Sequence, residues 1–386
     1  MIPRLLESAL RKAAEYYPVL TVTGPRQSGK TTLVQAVWPE KAYASLEDPD
    51  VLDFAREDPR AFLEQGGEAG LIVDEAQRDP ALFNYLQGYA DRSKPGRFVI
   101  SGSNNFLLME KISQSLAGRT AVLVLMPFSG EEIGAEALGS SWEEAAWRGF
   151  YPRVRSGGLP ADTFAKDYVA TYVERDLRLV KNVSDLSAFR GFLELCAGRA
   201  GQLVNLSALG ADAGIAVNTT KEWLSLLETS WLVMRLQPWH ENLSKRIVKS
   251  PKLYWFDTSL LCHLLGIRKP EDLRYHPQRG AIFENLIVAE RYKAASHRGL
   301  APKLHFWRDS NGKEVDLIEG LGADRLIWEC KAGASLAQEF FRGLEFFGTE
   351  TGIPAERRIL AYGGREPSTR SAGRAVGWRQ ALGGMQ

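Results

Sequence analysis

The sequence predicts an α/β protein whose first part is built on a mostly parallel sheet with helices on both faces. Short runs rich in valine, isoleucine and leucine alternate with segments in which apolar residues recur at helical spacing. One of these runs, residues 19–23, ends in a glycine-rich loop, and another, residues 70–73, ends in two carboxylates. Buried parallel strands are continuously apolar in this way, and polar groups collect at their C-terminal ends.

The expected elements of this first part follow a regular order. In chain order, they are a helix over 4–16, a strand over 19–23, a helix to 37, a short strand after 41, a helix over 50–65 with a break near Pro59, a strand over 70–73, a helix over 81–90, and strands over 97–104 and 121–125. Strands and helices therefore alternate, as in an α/β fold.

The loop after the first strand has the spacing of a phosphate-binding loop. Its two glycines leave room for backbone N–H groups to turn inward around a phosphate. Lys30 would reach the β- and γ-phosphates, and Thr31 would place its hydroxyl on Mg²⁺. The positive end of the next helix would face the anion. The sequence therefore predicts that ATP with Mg²⁺ binds at Gly24, Pro25, Arg26, Gln27, Ser28, Gly29, Lys30, Thr31 and Thr32.

Two acids at the end of the strand over 70–73 predict hydrolysis as well as binding. Asp74 would hold Mg²⁺, and Glu75 would polarise the attacking water. The next strand ends in Ser103 and Asn104, which would lie beside Lys30 and Glu75 at the same edge of the sheet. Either side chain could hold the water or contact the γ-phosphate. A polar turn without a catalytic role explains Ser103 and Asn104 equally well.

Arg119 precedes the strand over 121–125 and has two interpretations. It could reach the γ-phosphate of a neighbouring subunit and stabilise charge in the transition state. It could instead be a surface cation at the end of a helix.

Taken together, residues 24–31, Asp74 with Glu75, the Ser-Gly-Ser strand end and the Leu-Ala-Gly-Arg segment resemble the AAA+ ATPases over about residues 1–160. More narrowly, they resemble a bacterial and archaeal group with an uncharacterised C-terminal region. The resemblance implies a homo-oligomeric ring or spiral, usually of six subunits, with ATP at the subunit interfaces. It also makes Arg119 the leading candidate for an arginine finger.

Length and composition indicate an ordinary globular protein with more than one domain. A chain of 386 residues can bury two or three cores. It is 45% hydrophobic and 25% charged, and its net charge of +1 neither favours nor excludes a polyanion partner. Its three cysteines lack a zinc or disulfide pattern, and it shows neither a signal-peptide core nor a membrane-spanning run. We therefore expect a cytosolic protein with no membrane contact.

The middle of the chain shows a change to short helices. A long helix over 161–180 is expected first, then helices over 206–213 and 217–228 joined at Gly214, then a strand from 231. This order resembles a winged helix-turn-helix. The predicted DNA contacts are Asn218, Thr219, Thr220, Lys221, Lys245, Arg246 and Lys249, with Arg235 and Lys252 adding to the basic excess of the wing. A packing role without DNA contact is the alternative.

The C-terminal part contains a second set of acids. Asp316 lies on one strand of a predicted hairpin, while Glu329 and Lys331 share a face of the other. Carboxylates can hold Mg²⁺ and a neighbouring lysine can assist phosphodiester cleavage. The pattern resembles the PD-(D/E)xK nuclease superfamily over about residues 280–362, and the resemblance makes Glu284 the helix acid, Asp316 the metal aspartate, and Glu329 with Lys331 the ExK motif. An exposed charged hairpin is the alternative, and such a fold can also persist as a DNA-binding or assembly domain.

We therefore predict three domains, at 1–160, 161–260 and 261–386. The expected function is that of an ATP-hydrolysing AAA+ motor that binds and remodels DNA, with Mg²⁺-dependent cleavage left open. The alternative is a nucleotide-switched regulatory ATPase that binds a protein partner and carries an inert nuclease-like domain. A chaperone-like remodeller of protein is a weaker option.

Overall fold

The computed structural model describes residues 2–103, 112, 114–177, 185–239 and 248–384, with the backbone alone described for 174–177. These residues form two compact units. The N-terminal unit consists of Met1–Phe128, Thr229–Trp231 and Ala295–Ala301, and the C-terminal unit of Ser129–Glu228, Leu232–Ala294 and Pro302–Gln386. Within the described part of the chain, no helix has both the length and the apolar composition needed to cross a bilayer.

The N-terminal unit contains a five-stranded parallel sheet of order β2-β3-β4-β1-β5. Its strands are β1 (Val19–Thr23), β2 (Ala42–Ser45), β3 (Leu71–Asp74), β4 (Phe98–Gly102) and β5 (Thr120–Val124). Because all five strands run the same way, their C-terminal ends meet at one edge. The predicted parallel α/β sheet is confirmed, and this edge collects the predicted site residues.

Both faces of this sheet are covered. Along β1, Val19 belongs to one buried cluster while Leu20 and Val22 belong to another on the opposite face. This alternation is the period of a strand whose two faces both pack against helices. The helices are α1 (Leu6–Ala13), α2 (Lys30–Val37), α3 (Pro49–Glu57), α4 (Pro59–Glu64) and α5 (Leu82–Ala90).

The helix predicted over 50–65 is two helices that meet at Asp58. Pro59 is the first residue of α4, where its missing N–H costs nothing, and it disfavours helical geometry at the residue before it. Asp58 ends α3 and caps α4, since its carboxylate accepts a hydrogen bond from the Ala61 backbone N–H at 2.9 Å. The break predicted near Pro59 is therefore a complete helix boundary.

The C-terminal unit contains an eight-stranded mixed sheet of order β12-β13-β11-β10-β9-β8-β6-β7. Its strands are β6 (Val233–Pro238), β7 (Lys252–Trp255), β8 (Leu304–Arg308), β9 (Glu314–Glu319), β10 (Leu326–Lys331), β11 (Arg358–Tyr362), β12 (Ser368–Arg370) and β13 (Gly373–Gly377). Its helices are α6 (Gly130–Ile133), α7 (Trp142–Arg148), α8 (Pro152–Arg155), α9 (Ala161–Tyr168), α10 (Leu186–Gly198), α11 (Leu206–Ala213), α12 (Val217–Thr229), α13 (Thr258–Leu264), α14 (Pro270–Leu273), α15 (Arg279–Ser296), α16 (Arg342–Thr351) and α17 (Trp378–Leu382).

Two features of this unit differ from the sequence predictions. The long helix predicted over 161–180 is α9 followed by a π-helix, Val169–Leu177, and residues 178–180 lie outside the described part. In addition, β6 and β7 pair into the same sheet as β8–β13, although we predicted a domain boundary at residue 260. Parallel pairing of Gln237 and Pro238 with His305 and Phe306 makes this connection.

Candidate functional site

The phosphate loop (residues 24–32) joins β1 to α2 and depends on two glycines. Gly24 has φ 141°, and a Cβ at this position would lie 2.2 Å from the Leu125 carbonyl oxygen. Gly29 caps α2 with φ 94°, a left-handed conformation that suits glycine. Both positions were identified from the sequence. The structure adds the reason that Gly24 cannot be replaced, which is the close approach of the chain after β5.

Arg4 supports the loop from a distant part of the sequence. Its guanidinium donates hydrogen bonds to the Ser28 carbonyl at 2.8 Å and to the Met126 carbonyl at 2.6 Å. In the loop, Pro25 and Ser28 are buried, while Gln27 and Thr32 are exposed. Arg26 forms an ion pair with Glu47 at 3.4 Å. The role of Arg4 was missed because nothing in a lone arginine 20 residues before the loop points to this contact.

Lys30 is buried and its ammonium is held by neutral groups. Nζ donates to the carbonyl oxygens of Gly24 at 3.1 Å and Pro25 at 2.8 Å. Burial lowers the pKa of Lys30 to about 8, because the loss of solvation outweighs the attraction of Glu75 and Asp74. Lys30 therefore lies near two carboxylates without forming an ion pair with either. Its ammonium can then exchange the two carbonyl oxygens for phosphate oxygens.

Asp74 ends β3 and accepts hydrogen bonds on both of its oxygens. Thr31 Oγ1 donates to Oδ2 at 2.6 Å, and Ser101 Oγ donates to Oδ1 at 2.5 Å. Tyr43 OH, from the neighbouring strand β2, also donates to Oδ2, at 3.1 Å. Thr31 and Asp74, each predicted as a Mg²⁺ ligand, are thus brought together. The sequence analysis missed Tyr43 and Ser101. Each lies on a strand adjacent to β3, so the order of the strands could have pointed to these contacts.

Glu75 follows Asp74 in a left-handed backbone conformation, with φ 53°. Its Oε2 accepts hydrogen bonds from Ser103 Oγ at 3.3 Å and from the Gln77 side-chain amide. The structure therefore brings Ser103 beside Glu75, as predicted from the shared edge of the sheet. Asn104 lies outside the described residues.

Arg119 lies at the N-terminal end of the strands, whereas the phosphate loop lies at their C-terminal end. It precedes β5, whose first residue pairs with Val19, the first residue of β1, so it lies at the end opposite the phosphate loop. Its guanidinium forms two hydrogen bonds with the Asp91 carboxylate, at 2.5 Å and 3.1 Å. Arg119 cannot act on a nucleotide held by its own loop from this position.

The predicted DNA contacts on α12 are only partly on the surface. Asn218 and Lys221 are exposed and Thr219 is half-buried. Thr220 is fully buried, and its hydroxyl donates to the Ala216 carbonyl at 3.1 Å. The prediction for Thr220 is therefore wrong, because its face of α12 packs inside the unit.

The predicted basic wing is also smaller than the sequence indicated. Lys249 is exposed, whereas Lys245 and Arg246 lie outside the described residues. Arg235 is paired with Glu228. Lys252 is buried, with its side chain 3% exposed, so its assignment to a solvent-facing wing is wrong.

Three acids of the C-terminal unit form the carboxylate cluster, which we define as Glu284, Glu314 and Asp316. One oxygen of each lies within 4.8 Å of the others. Glu284 and Asp316 were predicted. Glu314 was missed, although it lies two residues before Asp316 on β9 and therefore on the same face.

Lys252 and Tyr254 of β7 contact this cluster directly. Lys252 Nζ pairs with Glu284 Oε1 at 2.9 Å and also with Glu314. Tyr254 OH donates to Glu284 Oε1 at 2.5 Å. Burial alone would lower the pKa of Lys252, but Tyr254, Glu284, Asp316 and Glu314 together raise it well above its ordinary value. The ammonium is therefore firmly charged.

Glu329 and Lys331 lie beside the cluster on β10. Lys331 Nζ donates to Glu329 Oε1 at 2.5 Å, and the Cys330 backbone N–H donates to Asp316 Oδ2 at 2.8 Å. Burial, followed by neighbouring acids, raises the pKa of Asp316 to about 7 and that of Glu329 to about 8. The four predicted residues of this region are thus brought together, and Asp316 and Glu329 are too buried for an exposed charged hairpin.

Comparison with known proteins identifies the N-terminal part. Residues 16–134 match the family model described as "AAA domain". Uncharacterized protein Rv2008c of Mycobacterium tuberculosis is 35% identical over 328 residues, which cover 83% of this chain and 72% of the relative. The corresponding protein of Mycobacterium bovis, Mb2031c, has the same values. This chain belongs to the family of these mycobacterial proteins and carries an AAA-type ATPase domain.

The AAA domain is followed by two segments that match models of unknown function. Residues 139–271 match DUF8612 and residues 279–380 match DUF4143. Among solved structures, a Walker-type ATPase of Pyrococcus abyssi aligns with 16% identity and a TM-score of 0.47, covering 68% of this chain and 96% of that one. A RuvB variant of Thermotoga maritima aligns with 19% identity and a TM-score of 0.33, covering 60% and 88%. Both scores are below 0.5, so no functional conclusion follows from them.

The geometry of the AAA domain is that of a nucleotide site. Its phosphate loop, Lys30 and the hydroxyl–carboxylate pair of Thr31 and Asp74 are arranged at one edge of the sheet. Glu75 lies next to them with its carboxylate held by Ser103 and Gln77. Phosphate, a divalent cation and an oriented water are the groups that such an arrangement can bind.

Proposed function

We propose that this protein hydrolyses ATP at the phosphate loop and uses the turnover to act on DNA through its C-terminal unit. The observation that carries the first part is the arrangement around Asp74, which receives Thr31 and Ser101 while Glu75 follows it. P-loop ATPases need a hydroxyl and a carboxylate together at the phosphates, with a second acid beside them.

The residues of the AAA domain fit Mg²⁺. Thr31 Oγ1 and Asp74 Oδ2 are hard oxygen donors 2.6 Å apart, the ligand type that this ion prefers. When bound, the ion would neutralise charge on the phosphates. Lys30 would exchange its two carbonyl partners for phosphate oxygens, and the N-terminus of α2 would face the same anion. Glu75 would accept a hydrogen bond from the attacking water and orient it.

Arg119 supports a proposal of catalysis between subunits. It lies at the end of the strands opposite its own loop, so any γ-phosphate that it contacts would belong to a neighbouring subunit. Asp91 now holds it through two hydrogen bonds at the surface, where such pairs are weak and exchangeable. We therefore propose a homo-oligomer, of six subunits by analogy with AAA+ rings, in which Arg119 completes the adjacent site.

The DNA part of the proposal is supported by element order and exposed groups. The elements follow the order α10, Leu203, α11, α12, β6 and β7, and Leu203 is bridged to Lys252. This order supports the proposal of a winged helix. Asn218 and Lys221 on α12 and Lys249 before β7 are exposed. Amide and ammonium groups of this kind contact phosphates and base edges.

A nuclease-like core is proposed for about residues 280–362. Its order is α15, β8, β9, β10, α16 and β11, with β10 antiparallel to β9 and parallel to β11. The carboxylate cluster has the donor chemistry for Mg²⁺, but Lys252 is bonded to two of its three acids. The residues therefore do not fit a divalent cation in this arrangement, and we derive no cleavage step for Asp316, Glu329 or Lys331.

The same contact of Lys252 favours a second candidate function. In that alternative, the chain is a nucleotide-switched regulatory ATPase whose C-terminal unit binds a protein partner and whose nuclease-like core is inert. It would turn over ATP slowly and change its oligomeric state with nucleotide, without any effect of DNA.

The experiment that separates the two is the ATPase rate with single-stranded, duplex and four-way DNA, for wild type and Lys30→Ala. The DNA proposal expects a rise in rate that is absent from Lys30→Ala. Lys12→Ala, which removes an exposed lysine of α1, is the control and should behave as wild type. An unchanged rate with every DNA would contradict the DNA proposal and favour the regulatory one.

A further inference from the structure

Lys252 lies at the centre of the carboxylate cluster, and the proposed function gives it no role of its own. It is the first residue of β7, and its buried ammonium pairs with Glu284 and Glu314. The Phe306 ring lies 5.6 Å from Nζ. Tyr254, two residues later on the same strand, donates to the same oxygen of Glu284 that Lys252 contacts. One positive charge is therefore fixed between carboxylates by contacts from several directions.

These contacts take the place that a divalent cation would need. Glu284, Glu314 and Asp316 are the acids that converge in the described part of the chain. Mg²⁺ and Ca²⁺ bind carboxylate oxygens at about 2.0–2.6 Å. Since Lys252 already binds two of these carboxylates, a metal ion would lie within a few ångströms of its charge. Repulsion at that distance is strong in a buried site.

The lysine also links segments that are far apart in the sequence. Lys252 lies in the segment matching DUF8612, whereas its acidic partners lie in the segment matching DUF4143. The two ion pairs connect β7 to α15 and to β9. A metal ion held by side chains from separate elements stabilises small folds in the same way.

We propose that Lys252 is the permanent cation of the carboxylate cluster, and that the cluster is a metal-free structural element instead of a cleavage centre. The ammonium supplies a positive charge to three acids that converge on it, of which Asp316 is buried and Glu284 and Glu314 are half-buried. This inference concerns the C-terminal unit alone. Its test can therefore fail without changing the result expected for the effect of DNA on ATP turnover.

The test is thermal unfolding of the full chain without nucleotide, with and without MnCl₂, for wild type and four variants, of which Asp316→Asn is the fourth. Lys252→Met removes the cation, and we expect it to unfold several degrees below wild type and to recover with Mn²⁺. The triple variant Lys252→Met, Glu284→Gln, Glu314→Gln removes the charge imbalance, so it should unfold near wild type and ignore Mn²⁺. Lys249→Met, at an exposed position three residues away, should match wild type in both conditions.

Two results would overturn the inference. One is a Lys252→Met variant that unfolds at the wild-type temperature, or that is destabilised and does not recover with Mn²⁺. The other requires no folded variant at position 252. If Mn²⁺ raises the unfolding temperature of wild type and this rise is lost in Asp316→Asn, the cluster binds metal with Lys252 in place.

Discussion

The phosphate loop and the carboxylate cluster each place a buried lysine near carboxylates, but the lysine has neutral hydrogen-bond partners in the loop and charged partners in the cluster. Lys30 is bonded to two backbone carbonyls, while Asp74 is bonded to hydroxyl groups of Thr31, Tyr43 and Ser101. Lys252 is paired with Glu284 and Glu314 themselves. Accordingly, burial lowers the pKa of Lys30 to about 8, whereas the surrounding acids outweigh burial and raise that of Lys252.

This difference separates a site that can accept a charged ligand from one that cannot. A neutral partner can be exchanged for a phosphate or a metal ion without leaving a buried charge behind. An ion pair cannot be opened in that way, because its other member would remain buried and uncompensated. We therefore assign chemistry to the N-terminal unit and stability to the C-terminal cluster.

The largest expected effect is that of Lys30→Ala on ATP turnover. Loss of the ammonium that we propose contacts the phosphates should lower the rate by at least ~10³-fold, since it would remove both binding and charge stabilisation. The unfolding free energy of the nucleotide-free chain should change less than in Lys252→Met, because the Lys30 ammonium makes two hydrogen bonds to backbone carbonyls and is not paired with a carboxylate. A steady-state ATPase assay and denaturant unfolding measure the two quantities. A Lys30→Ala variant that keeps its turnover would show that this ammonium does not act on the phosphates.

Glu75→Gln is expected to slow turnover by ~10²- to 10⁴-fold while ATP still binds, because only the group that we propose orients the water is lost. Fluorescent nucleotide titration and the ATPase rate together show this split. Glu64→Gln, which alters another acid of the N-terminal unit outside the nucleotide site, should leave both quantities unchanged. Loss of ATP binding in Glu75→Gln would mean that this acid has a structural role.

Lys252→Met should lower the unfolding free energy and leave ATP turnover unchanged, which is the opposite of the result expected for Lys30→Ala. Removing one member of a fully buried ion pair typically costs about 3–5 kcal/mol. Because Lys252 is buried while Glu284 and Glu314 are half-buried, we expect a loss toward the lower end of that range for the C-terminal unit. Denaturant unfolding followed by tryptophan fluorescence reports it, since Trp255 and Trp307 are buried in this unit. The ATPase rate per folded chain should stay near that of wild type. A selective loss of turnover without loss of stability would contradict the assignment.

The smallest expected effects are those of Thr220→Val and Lys221→Ala on α12, and they should differ in whether stability or DNA binding changes. Thr220→Val replaces a buried hydroxyl and should cost about 1 kcal/mol of stability without changing DNA affinity. Lys221→Ala changes an exposed residue, so it should leave stability within about 0.5 kcal/mol and reduce the salt dependence of DNA binding by about one unit of slope. Fluorescence anisotropy at several salt concentrations measures that slope. An effect of Thr220→Val on DNA affinity would show that the face of α12 that carries Thr220 takes part in DNA binding.

Local patterns explain what the sequence predicted well. The phosphate loop is a continuous stretch, and Asp74 and Glu75 directly follow an apolar strand, so chain direction alone places them at one edge. Tyr43 and Arg4 reach this site from other elements, through contacts that depend on strand order and packing. Propensities and spacing carry no information on such contacts.

The C-terminal errors have a shared physical cause. Lys252 was assigned to a basic wing because neighbouring residues are basic, yet it begins a strand whose four residues are all buried. A lysine is almost never fully buried unless it is paired, so the apolar run after it was the available signal for a distant acid. Thr220 was misplaced because a threonine suits a surface and a packed helix face equally well.

The most direct test of the difference between the two sites is to count Mn²⁺ bound to wild type by electron paramagnetic resonance, with and without a non-hydrolysable ATP analogue. We expect one ion per chain, bound only with the nucleotide and unaffected by Asp316→Asn. A second ion that binds without nucleotide and disappears in Asp316→Asn would contradict the account, because it would show that the carboxylate cluster accepts a metal beside Lys252.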